Sequence, residues 1–157
     1  MVEQKEQRLG EEHPLSDRVQ IVLLAFLICI WVIDSFLLRM YTLTDIPLMF
    51  RLSPAIILVV IGAYLIQNSH RLVIEAEKLK LITDGVYSYT RHPMYLGIML
   101  FELGIVSTTF SIPALLFWVL IFFAYNQFAV FEEESLIRNL DDEYLAYMSL
   151  VKRWSLF

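Results

Sequence analysis

Cysteine and positive charge are scarce in this chain of 157 residues. The lone cysteine, Cys29, has no second cysteine in the chain to pair with, so the sequence gives no sign of an oxidising compartment. The 12 Lys and Arg residues are outnumbered by 17 Asp and Glu residues, which leaves a net charge of −5. A chain without a basic surface cannot replace the counterions around phosphates, and we expect no nucleic-acid partner. We likewise expect no metal site.

Apolar residues are abundant instead. They make up 58% of the chain, whereas an ordinary soluble domain is nearer half apolar. Residues 1–18 are polar and of mixed charge, unlike a cleavable signal peptide, so we expect the first apolar segment to remain in the protein. The composition therefore predicts an integral membrane protein.

Four apolar segments are candidates for membrane helices, since about 20 apolar residues cross a bilayer. We predict an all-α, polytopic fold in which residues 1–157 form a single membrane domain with a C-terminal amphipathic cytoplasmic helix at 132–150. In that helix Leu136, Leu140, Tyr144 and Tyr147 recur at three- and four-residue steps. The predicted membrane helices are 19–40, 54–70, 94–110 and 113–131.

Two serine and proline pairs predict helix starts, and a charged segment connects the second helix to the third. Ser53 with Pro54 predicts the start of the second helix, and Ser111 with Pro113 predicts the start of the fourth. The segment LVIEAEKLKLITDG between the second helix and the third is too charged for lipid, and we place it at the membrane surface. Basic residues near the helix ends favour four spans with both termini and the active site in the cytoplasm.

The stretch DGVYSYTRHPMYLG, residues 84–97, places charged and aromatic groups against a membrane helix. Pro93 suits the first turn of a helix, so Arg91 and His92 should stand at its mouth, where backbone N–H groups attract an anion. Tyr87 and Tyr95 supply flat rings, and the glycines at either end leave room for a turn and for close backbone approach. Glu132, Glu133 and Glu134 should emerge on the same side of the membrane.

These residues predict a pocket with a cationic, aromatic side at 85–97 and an acidic side at 132–134. S-adenosylmethionine carries a carboxylate, an ammonium, a sulfonium, hydroxyls and an adenine ring, so it offers a partner to both sides. Simpler interpretations exist for each residue: a histidine bonded to a backbone carbonyl, an arginine that anchors a helix end, and acids at a solvated helix end.

The motif GVYSYTRHPMYLG, followed by EEESL and DDEYLAYMSLVKR, resembles the C-terminal core of the isoprenylcysteine carboxyl methyltransferase family and of related small membrane phospholipid methyltransferases. The resemblance covers residues 79–153. It implies S-adenosylmethionine as the cofactor and a lipophilic substrate entering from the bilayer. The cofactor-binding residues that it implies are Leu79, Lys80, Leu81, Ile82, Tyr87, His92, Pro93, Met94, Tyr95, Glu132 and Glu133.

One departure from the family pattern concerns the substrate. Phe128 stands where the eukaryotic carboxyl methyltransferases have an arginine that helps to hold the substrate. Arg91, Arg138 or Arg153 would then have to align a carboxylate acceptor. An amine acceptor would instead need Glu102, His92 or a tyrosine as a base or relay, and we predict Arg91 and Glu102 as catalytic residues.

Other functions stay open from the sequence. A phospholipid or other lipid amine is the alternative acceptor. A sterol-reductase-like enzyme that uses NADPH shares an Arg-His element, but Met94 stands where that type has an asparagine. A lipid-binding protein without catalysis is the third alternative. Asp34, an acid inside the first helix, is interpreted as a packing or topology feature.

Overall fold

The computed structural model describes residues 15–43, 45–75 and 80–155. Within these ranges the chain forms α-helices and no β-strand. A π-helical turn, Ile33–Leu38, continues the first helix, and a short 3-10 helix, Gly85–Ser88, precedes the third. The helices are α1 Ser16–Val32, α2 Leu48–Glu75, α3 Pro93–Ser107, α4 Ile112–Leu140 and α5 Asp142–Leu150.

Three of these segments are long and apolar enough to cross a membrane: Ser16–Leu38, Leu48–Glu75 and Ile112–Leu140. Large apolar side chains on their surfaces are exposed in the isolated chain, as a lipid-facing surface requires. α3 has 15 residues and is therefore about 22 Å long, shorter than a hydrocarbon core of about 30 Å. The all-helical membrane architecture is confirmed, while the fourth span stays a prediction.

The start predicted for the second membrane helix is wrong. α2 begins at Leu48, and Ser53 lies inside it, where its hydroxyl donates to the carbonyl of Met49 at 2.7 Å. Apolar residues before Ser53 extend the helix, and Pro54 is accommodated in its second turn. The other predicted start is confirmed, since Ser111 caps α4 by accepting from the backbone N–H of Ala114 at 3.4 Å.

The boundary predicted between the fourth helix and the cytoplasmic helix is also wrong. α4 continues without a break past residue 131 to Leu140, because neither glycine nor proline interrupts it there. The chain turns at Asp141, whose φ is 42° and which tolerates this region better than most residues with a side chain. α5 follows, with Tyr144 and Tyr147 buried against the rest of the protein.

α2 and α3 pack with their backbones in contact. A Cβ atom on Gly62 would lie 2.6 Å from the carbonyl oxygen of Gly97, and one on Gly97 would lie 2.8 Å from that of Gly62. The predicted close approach at Gly97 is thus confirmed. α4 packs against both α1 and α3, and the core between these helices includes Leu27, Met99 and Ile121.

A polar cluster joins the end of α1 to the turn between α3 and α4. This far-end cluster consists of Trp31, Asp34, Ser35, Thr109 and Ser111. Asp34 accepts from the hydroxyl of Ser111 at 2.6 Å and from the backbone N–H of Tyr41 at 3.2 Å. The hydroxyl of Thr109 accepts from Nε1 of Trp31 at 3.0 Å and shares a 2.7 Å hydrogen bond with Ser35. These contacts support the packing interpretation of Asp34.

Candidate active site

The segment before α3 turns at Gly85, whose φ is +61°. Side-chain-bearing residues rarely adopt this conformation, and Leu72 leaves little space for one. The hydroxyl of Ser88 closes the turn by donating to the carbonyl of Gly85 at 2.7 Å. His92 is then the residue that precedes the helix, and Pro93 opens it, as predicted.

His92 is almost fully buried, with 5% of its surface exposed. Its ring stacks on Tyr95 at a centroid distance of 5.7 Å and an interplanar angle of 10°, and the ring of Trp154 lies 5.8 Å away. Nε2 is 3.0 Å from Oε1 of Glu133, and Nδ1 is 3.5 Å from Oε2 of Glu132. The predicted histidine and glutamates are therefore brought together, 40 residues apart in sequence.

Two carboxylates change the protonation of this histidine. Burial opposes a charged imidazole, but the hydrogen bonds and charges of Glu132 and Glu133 outweigh burial and raise the pKa of His92 above its usual value. The pair of contacts, one on each ring nitrogen, suits an imidazolium, which donates from both nitrogens.

Glu133 is the centre of a buried ion network. Arg153 binds it with both oxygens engaged: Nε donates to Oε1 at 3.0 Å and Nη2 to Oε2 at 2.6 Å. Nε of Arg91 lies 3.1 Å from the same Oε1, without the alignment of a hydrogen bond. The side chain of Glu133 is only 3% exposed, so its charge is balanced by neighbours rather than by water.

The three consecutive glutamates point in different directions, because successive residues of a helix are about 100° apart. Glu133 faces the interior, Glu134 is exposed, and the side chain of Glu132 is 27% exposed beside His92. Glu132 is therefore the carboxylate at the rim of the cluster.

Arg91 is held within the protein. Its side chain is 9% exposed, its Nη1 donates to the carbonyl of Met148 at 3.3 Å, and its backbone N–H donates to the carbonyl of Lys152. These contacts give Arg91 a part in the packing of the site. Its predicted catalytic role stays a prediction.

The tyrosines of the motif connect the site to neighbouring helices. The hydroxyl of Tyr87 shares a 2.9 Å hydrogen bond with Ser69 on α2, and the carbonyl of Tyr87 accepts from the hydroxyl of Tyr147 at 2.6 Å. Tyr95 is buried and meets the ring of Tyr125 edge to face at 5.5 Å. Burial raises the pKa of Tyr147, which keeps its hydroxyl a donor.

The remaining predicted cofactor residues are exposed or half-buried, or lie outside the described residues. Lys80 is exposed, and Leu81 and Ile82 are half-buried in irregular chain before the 3-10 helix. Met94 is half-buried in the first turn of α3. Leu79 lies outside the described residues.

Glu102 occupies the interior of α3, away from the ion network. It is 1% exposed, and neither carboxyl oxygen has a hydrogen-bond partner among the described residues. Glu102 is therefore not joined to the motif by a hydrogen bond, and its predicted catalytic role stays a prediction.

A C-terminal strap, residues 151–155, crosses the start of α3, and no local pattern in the sequence predicts it. Its residue Arg153 accepts at its carbonyl from the hydroxyl of Thr90 at 2.6 Å. Asn126 on α4 accepts from Nη1 of Arg153 at 3.1 Å and from Nε1 of Trp154 at 3.0 Å. The available signal was Asn126, a polar residue within an apolar helix.

Comparison with known proteins fits this architecture. Residues 49–142 match the phospholipid methyltransferase family, and because the match covers more than half of the chain, the protein belongs to that family. The matched range includes the motif, Glu102 and the glutamate triplet.

A named relative extends the resemblance. A protein-S-isoprenylcysteine O-methyltransferase of Schizosaccharomyces pombe is 33% identical over 72 residues, which are 45% of this chain and 30% of that protein. The chain therefore covers about a third of that relative's length. No solved structure matches the chain. The resemblance noted from the motifs is confirmed by the family match.

Proposed function

We propose that this protein transfers a methyl group from S-adenosylmethionine to a lipophilic acceptor at the membrane surface. The observation that carries the proposal is the convergence of His92 with Glu132 and Glu133 at the start of α3, within the range matched by the methyltransferase family. Family membership supports methyl transfer as the reaction, and the geometry supports the start of α3 as the position of the site.

The residues at the rim have the chemistry that the cofactor requires. Glu132 offers a partly exposed carboxylate to an ammonium or to hydroxyl groups, and the start of α3 favours a carboxylate. Tyr87 and Met94 are half-buried and offer an aromatic face and an apolar surface, and the backbone near Leu81 offers a further edge, while Tyr95 and Pro93 are buried. S-adenosylmethionine, when bound, supplies an electrophilic methyl group on its sulfonium.

The chain's own contribution is binding, orientation and exclusion of water. His92 contacts both glutamates, and Arg91 lies 3.1 Å from Glu133, so the interior carboxylate is compensated within the protein while Glu132 keeps exposed surface for a cationic or hydroxylated ligand group. Buried rings from α3 and α4 exclude water from the neighbouring space. Correct alignment of acceptor and donor is then the main source of rate acceleration.

An isoprenylcysteine-like carboxylate is the first candidate acceptor, since the relative in Schizosaccharomyces pombe bears that activity in its name. A carboxylate is already ionised near neutral pH and needs only alignment. With Phe128 in place of a cation, that task would fall to Arg91, Arg153 or the exposed Arg138.

An amine acceptor is the second candidate, and Glu102 favours it. A buried carboxyl with two unpartnered oxygens is costly in a membrane helix unless it is neutral or meets a donor. An amine, or another donor on the substrate, would satisfy it and could release a proton to it. Incubating membranes with methyl-labelled cofactor separates the two, since a carboxyl ester is base-labile and a methylated amine is stable.

We further propose that both termini and the site face the cytoplasm, and that the lipid tail of the substrate enters between the helices from the bilayer. The distribution of basic residues supports this orientation. Cysteine accessibility at Glu134→Cys, compared between intact and permeabilised cells in a Cys29→Ser background, would report on which side the site lies.

Ligand-induced stabilisation tests the cofactor. We expect S-adenosylhomocysteine, and not NADPH, to raise the melting temperature of the detergent-purified protein. Stabilisation by NADPH alone would favour the reductase alternative, and binding without turnover of any lipid would favour the lipid-binding alternative.

Glu132→Gln tests the site itself. We expect it to weaken S-adenosylhomocysteine binding by about tenfold or more, because it removes a charge-assisted contact. Glu134→Gln is the matched control, since it makes the same change on an exposed neighbouring side chain. Equal affinity in the two variants would remove Glu132 from the cofactor site.

A further inference from the structure

The C-terminal strap lies at the motif-end cluster, which we define as Arg91, His92, Glu132, Glu133 and Arg153. The strap supplies Arg153 and contacts Arg91, His92 and Glu133. Its backbone binds the segment before α3 twice: the carbonyl of Lys152 accepts from the N–H of Arg91, and the carbonyl of Arg153 accepts from the hydroxyl of Thr90. Thr90 is fully buried, so the strap covers this segment rather than lying beside it.

The side chain of Arg153 limits the freedom of Glu133. Its guanidinium contacts both carboxylate oxygens, and its third nitrogen is fixed by Asn126 on α4 at 3.1 Å. A fork of this kind determines the plane of the carboxylate as well as its position. Oε1 of Glu133, the oxygen 3.0 Å from Nε of Arg153, is also the oxygen 3.0 Å from Nε2 of His92.

Trp154 limits the freedom of the His92 ring. The centroids of the indole and the imidazole are 5.8 Å apart, and Tyr95 also stacks on the imidazole. Nε1 of Trp154 donates to the same Asn126 oxygen at 3.0 Å, which fixes the indole. With Nε2 directed at Glu133 and the ring packed between aromatic neighbours, Nδ1 is directed towards Glu132.

We propose that Arg153 and Trp154 are positioning residues for the methyltransferase site: Arg153 fixes Glu133, and together with Trp154 it fixes His92 so that Nδ1 faces the rim carboxylate of Glu132. Arg153 on the strap contacts Glu133, Glu133 contacts His92, and His92 contacts Glu132 at the rim. The catalytic consequence rests on the proposed function, whereas the effect on His92 does not.

The charges around His92 determine the sign of the expected effect. Glu132 and Glu133 face it from α4, Arg91 from its own segment, and Arg153 from the strap, while Tyr95 of α3 stacks on the ring. Tyr144 of α5 lies near Glu133, and burial together with the charge of Glu133 raises the pKa of this phenol, which stays neutral. Arg153 neutralises part of the charge of Glu133 that His92 would otherwise experience. Its removal should therefore raise the pKa of His92 further.

Titration of His92 by NMR, on the full chain labelled at histidine, tests the proposal directly. The signal is assigned by its loss in His92→Gln, since the chain has three histidines. Arg153→Met should raise the pKa of His92, while Arg153→Lys, which keeps the charge but not the fork, should leave that pKa closer to wild type. Lys152→Ala is the control, because Lys152 is an exposed neighbour that contacts the motif only through its backbone.

Binding and kinetics provide the second readout. We expect Arg153→Met to reduce kcat/KM by up to about a hundredfold, as a small displacement of positioned groups does, with Arg153→Lys and Trp154→Phe in between. An unchanged His92 titration in Arg153→Met, or an equal change in Lys152→Ala, overturns the proposal. If Arg153→Met does not fold, the kinetics of Arg153→Lys and Trp154→Phe decide it, and a kcat/KM equal to that of wild type in both variants overturns the proposal.

The two proposals fail in different ways. Wild-type protein that binds neither S-adenosylhomocysteine nor the methyl donor would contradict the proposed function, yet the titration of His92 would still show whether the strap positions it. Wild-type protein that binds and turns over normally, with strap variants that do the same, would leave the function in place and remove the strap from it.

Discussion

The two ends of α3 carry polar clusters that differ in how their carboxylates are held. At the far-end cluster, Asp34 accepts hydrogen bonds from a hydroxyl and from a backbone N–H, which are neutral donors. At the motif-end cluster, Glu133 forms ion pairs with two guanidinium groups and an imidazole. Both carboxylates are buried, so each needs its partners.

The difference separates a structural cluster from a functional candidate. The far-end cluster consists of groups that bind one another and tie α1 to the turn between α3 and α4. The motif-end cluster adds Glu132, whose side chain is partly exposed and whose contact with His92 is a longer 3.5 Å. Only the second arrangement has a carboxylate with accessible surface left for a ligand.

The largest effect is expected at the centre of the motif-end cluster. Glu133→Gln removes the charge shared by Arg91, His92 and Arg153 and leaves buried cations without a counter-charge. We expect a loss of about 3 kcal/mol in stability, the low end for a broken buried ion pair because Arg153 is partly exposed. Thermal unfolding in detergent measures it, with the exposed Glu134→Gln as control. A loss no larger than that of the control would contradict the ion network.

A substitution at the contact between α2 and α3, between the two clusters, should cause a smaller loss of stability. The Cβ atom of Gly97→Ala would press on the backbone of Gly62 and on Ile66 at less than 3 Å, forcing α2 and α3 apart. We expect a loss of about 2 kcal/mol, typical of overpacking. Ser107→Ala, which changes a buried side chain at the end of the same helix without adding volume, is the comparison. Unchanged stability of Gly97→Ala would refute the direct backbone contact.

The far end should affect stability without affecting ligand binding. Asp34→Ala removes two hydrogen bonds and leaves the buried O–H of Ser111 without its acceptor, which costs about 1.5 kcal/mol. Asp34→Asn keeps one acceptor oxygen and should lose less. Affinity for S-adenosylhomocysteine should equal that of wild type in both. A loss of affinity would mean that the two clusters are coupled and would break the comparison.

Much of this arrangement follows from local sequence. Length and apolar character predict the helices, the glycine and proline of the motif predict its turn and the start of α3, and Ser111 predicts its cap. Helix boundaries were less predictable where the sequence lacks a stop: Pro54 does not begin α2, and nothing ends α4 before Asp141. In such cases packing against neighbouring helices, rather than a local signal, determines where the helix ends.

The site could be predicted in part. Spacing brought His92 and the glutamates to the same side of the membrane, but it could not tell which glutamate faces inwards or that Arg153 and Trp154 would return over the motif. Those contacts are long-range, and no periodicity encodes them. Glu102 shows the same limit: its position seven residues after Tyr95 places it two helical turns along the same face, but the sequence does not reveal that its oxygens lack a partner among the described residues.

The smallest expected effect is a pH dependence confined to the motif end. The pKa of His92 is raised above its usual value of 6.5, so its protonated form is stabilised by folding. That contribution is fully present below pH 6.5 and is lost as the pH rises through the raised pKa. We therefore expect the melting temperature of wild type, relative to His92→Gln, to fall over this interval, whereas Asp34→Ala should show the wild-type pH dependence. A difference between wild type and His92→Gln that is constant with pH would mean that the two glutamates do not hold an imidazolium.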